Sequence, residues 1–284
     1  MNSLPKLPST GCFKEILARV PAGASAAGVI GSAVSVARLF AAHIDAIAAV
    51  EHSDGQNGSF EASASGLQAV AAFEETADVA ARALLQFESA AQEAGLSCGK
   101  RLIADSPDKV DWMLARASRL YDLCVIAQPD LAGPGDTRPP TMLFDSGRPV
   151  LVIPRAHRVG ITLDHVAVCW DGGRYAARAV HDAMPLLELA GCIDIITVDA
   201  DAGLDSSAEA LASHLARRRL DVRVKQPKSD QLGVYPAIMA VAVEAGSKLL
   251  VMGGYGHSKA GRFVPGGLTR DALDEMRVPT FMSF

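Results

Sequence analysis

The sequence is poor in aromatic residues, which make up only 5% of its 284 positions. An all-β core usually relies on aromatic and β-branched side chains, so this scarcity argues against one. Hydrophobic residues nevertheless reach 49%, and alanine is abundant, so the chain can bury a large core. The composition therefore favours helices packed closely on a sheet.

Concentrated positive charge is also missing. The formal net charge is -5, and the longest basic run is the triplet at 217–219. A nucleic-acid-binding surface needs clustered Lys and Arg side chains to neutralise phosphates. We therefore expect no nucleic-acid partner.

No two cysteines form a CxxC pair, and three of them lie in apolar, strand-like runs. This spacing predicts reduced core residues of a cytosolic protein, with neither a disulfide framework nor a metal site. The five cysteines are Cys12, Cys98, Cys124, Cys169 and Cys192.

Long apolar segments of the membrane type are absent as well. The first twelve residues lack the hydrophobic stretch of a signal peptide. Residues 20–37 carry no charge, but they are mostly Ala, Gly and Ser, which is more typical of a buried helix than of a membrane span. We expect a cytoplasmic protein without a membrane partner.

What the sequence does contain is one order of strands and helices, repeated in its two halves. In the first half we predict strands at 15–20, 44–50, 100–104, 123–127 and 149–153, and helices at 26–41, 66–95 and 108–119. In the second half we predict strands at 165–170, 193–198, 221–224, 249–252 and 279–282, and helices at 176–190, 207–219 (with Ser207 as N-cap), 235–245 and 268–276.

Continuous apolar strands that alternate with helices indicate parallel sheets covered on both faces. Right-handed crossovers then give a doubly wound arrangement. The predicted fold class is α/β, with two tandem doubly wound domains at 1–156 and 163–284. Each domain is predicted to hold a mostly parallel five-stranded sheet flanked by helices.

Six glycines are concentrated from 253 to 267, between a predicted strand and a predicted helix. In open parallel sheets, ligands bind at the carboxyl ends of the strands. Glycine allows main-chain N–H groups to approach an anion, and the helix that follows adds its positive end. The pattern predicts a phosphate site, and the alternative is a flexible surface loop. The predicted phosphate contacts are Gly253, Gly256, Gly266 and Gly267, with the Thr269 hydroxyl and the His257 side chain as further candidates.

The glycine spacing is G-x2-G-x9-G, which fits neither GxGxxG nor the P-loop. The stretch VMGGYGHSKAGRFVPGGLTR at 251–270, with HVAVCWDGG at 165–173 and SGRPVLVIP at 146–154, resembles the universal stress proteins of the tandem two-domain type. The resemblance implies a site for ATP or another adenine nucleotide, with or without Mg²⁺, in the second domain. It also implies a pseudo-twofold domain pair joined through its last strands, and a homodimer as a further association.

Carried over to this sequence, the resemblance implies a role for each matching residue. Asp171 would meet the adenosine, and Val198 would offer main-chain contacts to the adenine. The ribose and phosphates would be held by Met252, Gly253, Gly256, Gly266, Gly267, Leu268 and Thr269. Asp171 has an alternative role as a helix N-cap. Gly267 stands where the family pattern usually has Ser or Thr, and the missing hydroxyl would cost about 1 kcal/mol of binding.

The first half departs from this pattern. Pro21 stands at the position of Asp171, and AQPD at 127–130 replaces the first glycines. Prolines at 134, 139 and 140 remove N–H donors from the region that follows. We predict that this half binds no nucleotide and serves as a structural partner of the second.

These features favour a cytosolic stress-response or signalling protein that binds an adenine nucleotide. An interaction scaffold without a nucleotide is the alternative. A third hypothesis, an adenylating ligase, requires a serine-rich pyrophosphate loop that CWDGGRYAARA at 169–179 lacks. GxSxG and HExxH are absent, and we predict no catalytic residue, while slow ATP hydrolysis stays open.

Overall fold

The computed structural model describes residues 12–51, 64–129, 141–200, 202–229, 233–254, 256–259, 262–265 and 267–284. Within these residues the strands are β1 (Glu15–Arg19), β2 (His43–Glu51), β3 (Cys98–Asp105), β4 (Leu123–Ala127), β5 (Val150–Ile153), β6 (His165–Cys169), β7 (Cys192–Ile196), β8 (Val222–Lys225), β9 (Leu249–Gly253), β10 (Gly256–Lys259), β11 (Arg262–Pro265) and β12 (Thr280–Ser283). The helices are α1 (Ala26–Phe40), α2 (Ala64–Glu93), α3 (Pro107–Ser118), α4 (Thr141–Asp145), α5 (Arg174–Asp182), α6 (Met184–Leu187), α7 (Ala202–Ala216), α8 (Val234–Glu244) and α9 (Gly267–Glu275).

Ten strands form one sheet in the order β3-β2-β1-β4-β5-β12-β9-β6-β7-β8. All neighbouring strands within each half are parallel. The second half has the same strand order as the first, but it runs across the sheet in the reverse direction. The halves meet where β5 and β12 pair antiparallel, with Leu151 opposite Phe281. The α/β doubly wound prediction is confirmed, and so is the pairing of the last strands. The two predicted sheets are, however, one continuous sheet, and the limits 1–156 and 163–284 stay a prediction.

Apolar side chains cover both faces of this sheet. Alternate residues of a strand point to opposite faces, so Ile16 and Leu17 enter different layers. One layer contains Ile16 and Phe281, and the other contains Leu17 and Met282. Each layer therefore contains residues of both halves.

Two helix predictions in the second half need correction. The single helix predicted at 176–190 is divided into α5 and α6 at Ala183, because Pro185 lacks the N–H that a continuous helix would use. The predicted N-cap role of Ser207 is wrong, since α7 already begins at Ala202. The Ser207 hydroxyl instead accepts a hydrogen bond from Trp170 Nε1 at 2.9 Å.

The region predicted as a glycine loop contains a β-hairpin. Strands β10 and β11 pair antiparallel, with Gly256 opposite Pro265 and Lys259 opposite Arg262. Two residues separate the strands, which is the commonest hairpin spacing, but neither flank has the regular apolar alternation that identifies strands in a sequence. Among the described residues, no helix is both long enough and apolar enough to cross a membrane.

Candidate functional site

The strand order of the second half changes direction between β6 and β9. The chain runs outward from β6 to β7 and β8, and then returns to place β9 on the other side of β6. Open α/β sheets bind ligands at such a switch point, beyond the carboxyl ends of the strands. A cavity of about 170 Å³ lies at this place.

Six residues that the sequence analysis selected line this cavity. They come from the segments that follow β6 and β7, from the last two residues of β9 and from the first turn of α9, and they are Asp171, Val198, Met252, Gly253, Leu268 and Thr269. Gly267 is the exposed first residue of α9, while Gly256 and His257 lie in β10. Gly266 lies outside the described residues.

Asp171 is exposed and has a structural role beside its place on the cavity wall. Its Oδ1 accepts a hydrogen bond from the Gly173 N–H at 2.8 Å, which fixes the turn that leads into α5. The N-cap residue of that helix is Gly173 itself. Asp171 is therefore not the N-cap, and its carboxylate instead stabilises the turn before the helix.

Thr197 is a lining residue that the sequence analysis missed. It directly follows β7, is only 1% exposed, and its Oγ1 has no hydrogen-bond partner among the described residues. A buried polar atom without a partner costs about 1–3 kcal/mol. The available signal was a hydroxyl residue at the carboxyl end of an apolar strand.

Close packing explains two of the glycines without any ligand. A Cβ on Gly253 would lie 2.5 Å from the main-chain carbon of Tyr175 in α5. A Cβ on Gly254 would lie 1.8 Å from the ring of Phe284. A Cβ on Gly267, in contrast, would have no described atom within 4 Å, so packing does not require glycine there.

The deep end of the cavity is apolar. Ala176, Ile196 and Ile238 contribute to it, together with Cys169. Burial, and then the nearby Asp171 carboxylate, raise the pKa of the Cys169 thiol to about 12. This thiol is therefore expected to be protonated near neutral pH, and a protonated thiol is a poor nucleophile.

In the first half, Gln128 follows β4 as Gly254 follows β9. Gln128 is buried, and its Nε2 donates to the carbonyl oxygens of Leu273 and Asp274 at 2.8 and 3.0 Å. Its Oε1 accepts from the Arg155 N–H at 3.1 Å. The Gln128 amide is thus engaged with the protein itself. The proline-rich region predicted to exclude phosphate, 130–140, lies outside the described residues.

A larger cavity of about 700 Å³ lies between the two halves, at α5 and the amino ends of β1 and β4. Its charged groups already bond within the protein. Asp122 accepts from the main chain of Lys14 and Glu15, and Arg148 donates to the Arg119 carbonyl. We favour the smaller cavity because it lies at the switch point and is lined by six residues that the sequence analysis selected.

No family model matches the sequence, and no curated protein matches it. Solved structures do match over nearly the whole chain. A universal stress protein from Archaeoglobus fulgidus DSM 4304 superposes with a TM-score of 0.68 at 16% identity, over 95% of each chain. The chain has the universal stress protein fold. The match extends over both halves, as the resemblance in the sequence implied.

Two further structures agree with this fold. A candidate universal stress protein from Pseudomonas aeruginosa UCBPP-PA14 gives a TM-score of 0.55 at 14% identity, over 95% of this chain and 93% of its own. A functionally unknown protein from Pseudomonas aeruginosa PAO1 gives 0.58 at 13% identity, over 95% and 92%. At these identities, the likeness to universal stress proteins concerns the fold.

Proposed function

We propose that the second half binds an adenine nucleotide, and that the protein is a cytoplasmic stress-response protein whose partner contacts change with nucleotide occupancy. The observation that carries the proposal is the cavity at the β6–β9 switch point, which is lined by six of the residues that the sequence analysis selected. A purine has apolar faces that such a cavity can enclose.

The size of the cavity supports an arrangement in which it encloses only the base of the nucleotide. Its volume of about 170 Å³ is below the roughly 300–1,000 Å³ of sites that enclose drug-sized ligands. The base would enter beside Ile196 and Val198. The ribose would remain at the rim, where the exposed Asp171 carboxylate can accept hydrogen bonds from its hydroxyl groups.

The phosphates would lie against the start of α9. The first N–H groups of a helix have no partner within that helix, and they form its positive end. Gly267 is exposed and Leu268 and Thr269 line the cavity, so this end of α9 adjoins the site. Anions bind readily at such positions.

A pair of tryptophan substitutions on one helix tests the site. Val234 is 43% exposed and lines the cavity, whereas Val243 is 50% exposed near the other end of α8. We expect Val234→Trp to block the base and weaken ATP binding by at least about tenfold, or about 1.4 kcal/mol. Val243→Trp should bind ATP with the affinity of the unsubstituted chain. Calorimetric titration of the purified chain with ATP, with and without Mg²⁺, measures both.

The outcomes separate this function from the alternative scaffold, which the packing role of Gly253 and Gly254 favours. No heat and no thermal shift at millimolar ATP would support a scaffold without nucleotide. Binding that Val234→Trp and Val243→Trp leave equally strong would place the nucleotide elsewhere on the chain.

A further inference from the structure

Three side chains with metal-binding atoms converge at the amino ends of β6 and β7, at the opposite end of these strands from the nucleotide cavity. They are His165 at the start of β6, and Cys192 and Asp194 on β7, and their ligand atoms all lie within 4.8 Å of one another. The strand register pairs His165 with Cys192, and Ala167 with Asp194. Because alternate residues of a strand share a face, the backbone itself brings the three side chains to one side of the sheet.

The acid of this cluster is buried and incompletely paired. The Asp194 side chain is 1% exposed, and its Oδ2 lies 3.0 Å from His165 Nε2. Neither His165 Nε2 nor Asp194 Oδ1, however, has a hydrogen-bond partner of suitable geometry among the described residues. Buried polar atoms normally have partners, and a buried carboxylate is costly without them. A shared cation would satisfy both atoms.

The first half satisfies the corresponding acid with protein groups. HID at 43–45 begins β2 as CID at 192–194 begins β7, so Asp45 corresponds to Asp194. Asp45 Oδ2 accepts from the Tyr121 hydroxyl at 2.6 Å, and Asp45 Oδ1 lies 3.1 Å from His43 Nε2. Tyr121 stands two residues before β4, and the residue two before β9 is Ser247, which has no phenol to offer. Asp194 is thus left for another partner.

We propose that His165, Cys192 and Asp194 bind one divalent cation of the zinc class. Nitrogen, thiolate and carboxylate ligands are the set that zinc uses, and three protein ligands leave a fourth position for water. His165 and Cys192 are partly exposed, so an ion can enter from solvent. Ligands on one tetrahedral zinc lie roughly 3.3–3.8 Å apart, so a small side-chain rotation completes the site.

Sequence reasoning predicted no metal site because it searched for paired cysteines. The ligands here come from two strands and include only one cysteine. The site lies at the amino ends of the strands, away from the nucleotide cavity at their carboxyl ends. The metal proposal therefore does not depend on the nucleotide proposal, and an experiment can reject one without the other.

Cobalt is the probe that tests this site. Tag-free, chelator-treated full-length protein would be titrated with Co²⁺ under reducing conditions. We expect one equivalent to produce thiolate-to-cobalt charge-transfer absorption with a tetrahedral visible spectrum, and one equivalent of Zn²⁺ to abolish both. Absence of the thiolate band in the wild-type protein would overturn the proposal.

The repeated halves supply matched controls. Cys192→Ser should remove the thiolate band, whereas Cys98→Ser, at the corresponding edge of the first half, should retain it. Asp194→Asn should weaken Co²⁺ binding by at least about tenfold, and Asp45→Asn should not. Circular dichroism would check the fold of each variant, and His165→Gln provides a second ligand deletion. A band that persists in Cys192→Ser would contradict the assignment.

Discussion

At the scale of single residues, adjacent glycines in this chain have separate reasons to be glycine. Gly253 lets the backbone of α5 approach β9, and Gly254 accommodates the Phe284 ring. Phe284 in turn packs edge-on against Phe144, with ring centroids 4.6 Å apart. Close packing therefore accounts for two of the glycines in this stretch.

Replacement of Gly254 tests the packing explanation. The new Cβ in Gly254→Ala must displace the Phe284 ring, so we expect the free energy of unfolding to fall by about 1–3 kcal/mol. In Phe284→Ala the ring is gone, and adding Gly254→Ala should then cost little. Urea denaturation of the double-mutant cycle measures this coupling, and additive effects would argue against the contact.

The candidate site could be predicted in part at this scale. Asp171, Val198, Met252 and Leu268 were selected because the resemblance to universal stress proteins implied nucleotide contacts there, and the structure brings them to one cavity. Thr197 was missed because a threonine inside an apolar run is compatible with an ordinary strand. Only the three-dimensional arrangement reveals that its hydroxyl lacks a partner.

At the scale of elements, helix α9 is held by a residue of the other half. Gln128, which follows β4, binds two carbonyl oxygens near the carboxyl end of α9 and the main chain at Arg155. The last carbonyls of a helix lack partners within it. Gln128 thus links α9, which carries the proposed phosphate site, to the first half of the sheet.

Truncation of this side chain should loosen that link. We expect Gln128→Ala to lower the free energy of unfolding by about 1–3 kcal/mol, because it leaves buried backbone groups without partners. Gln92→Ala, at an exposed position of α2, is the matched control and should change it little. Urea unfolding monitored by circular dichroism compares them, and equal stability would show that water replaces the Gln128 amide.

Most element positions could be predicted from hydrophobic periodicity, but their ends and interruptions could not. The periodicity at 176–190 continues across Pro185, so it predicts one helix where the backbone forms two. Ser207 is a typical N-cap residue type, yet α7 starts five residues earlier, and the hydroxyl binds Trp170 instead. Side-chain type at a boundary is weaker information than apolar spacing along a whole element.

At the scale of the whole molecule, one sheet and two shared apolar layers join the halves. Alternation of strands and helices predicted each half. The continuous sheet could not be derived from that alternation, because no local pattern records that β5 and β12 pair; only the family resemblance implied it. We expect the chain to unfold as one cooperative unit.

The two tryptophans allow this to be measured. Trp112 lies in α3 of the first half and Trp170 after β6 of the second, so Trp112→Phe and Trp170→Phe each leave one reporter. Phe281→Ala should lower the free energy of unfolding by about 3–5 kcal/mol, and it should shift the unfolding transitions reported by Trp112 and by Trp170 equally. Leu120→Ala, at an 81% exposed position, should shift neither. Movement of the Trp170 transition alone would mean that the halves unfold independently.

The place of β12 between β5 and β9 has a consequence for biosynthesis. Val150–Ile153 leaves the ribosome long before Thr280–Ser283, the strand that completes its hydrogen bonds. Throughout translation of the second half, the growing polypeptide exposes an unpaired, fully apolar strand edge, the kind of surface that recruits other chains. Premature termination before residue 280 would leave both β5 and β9 uncovered, and such fragments should aggregate or occupy chaperones.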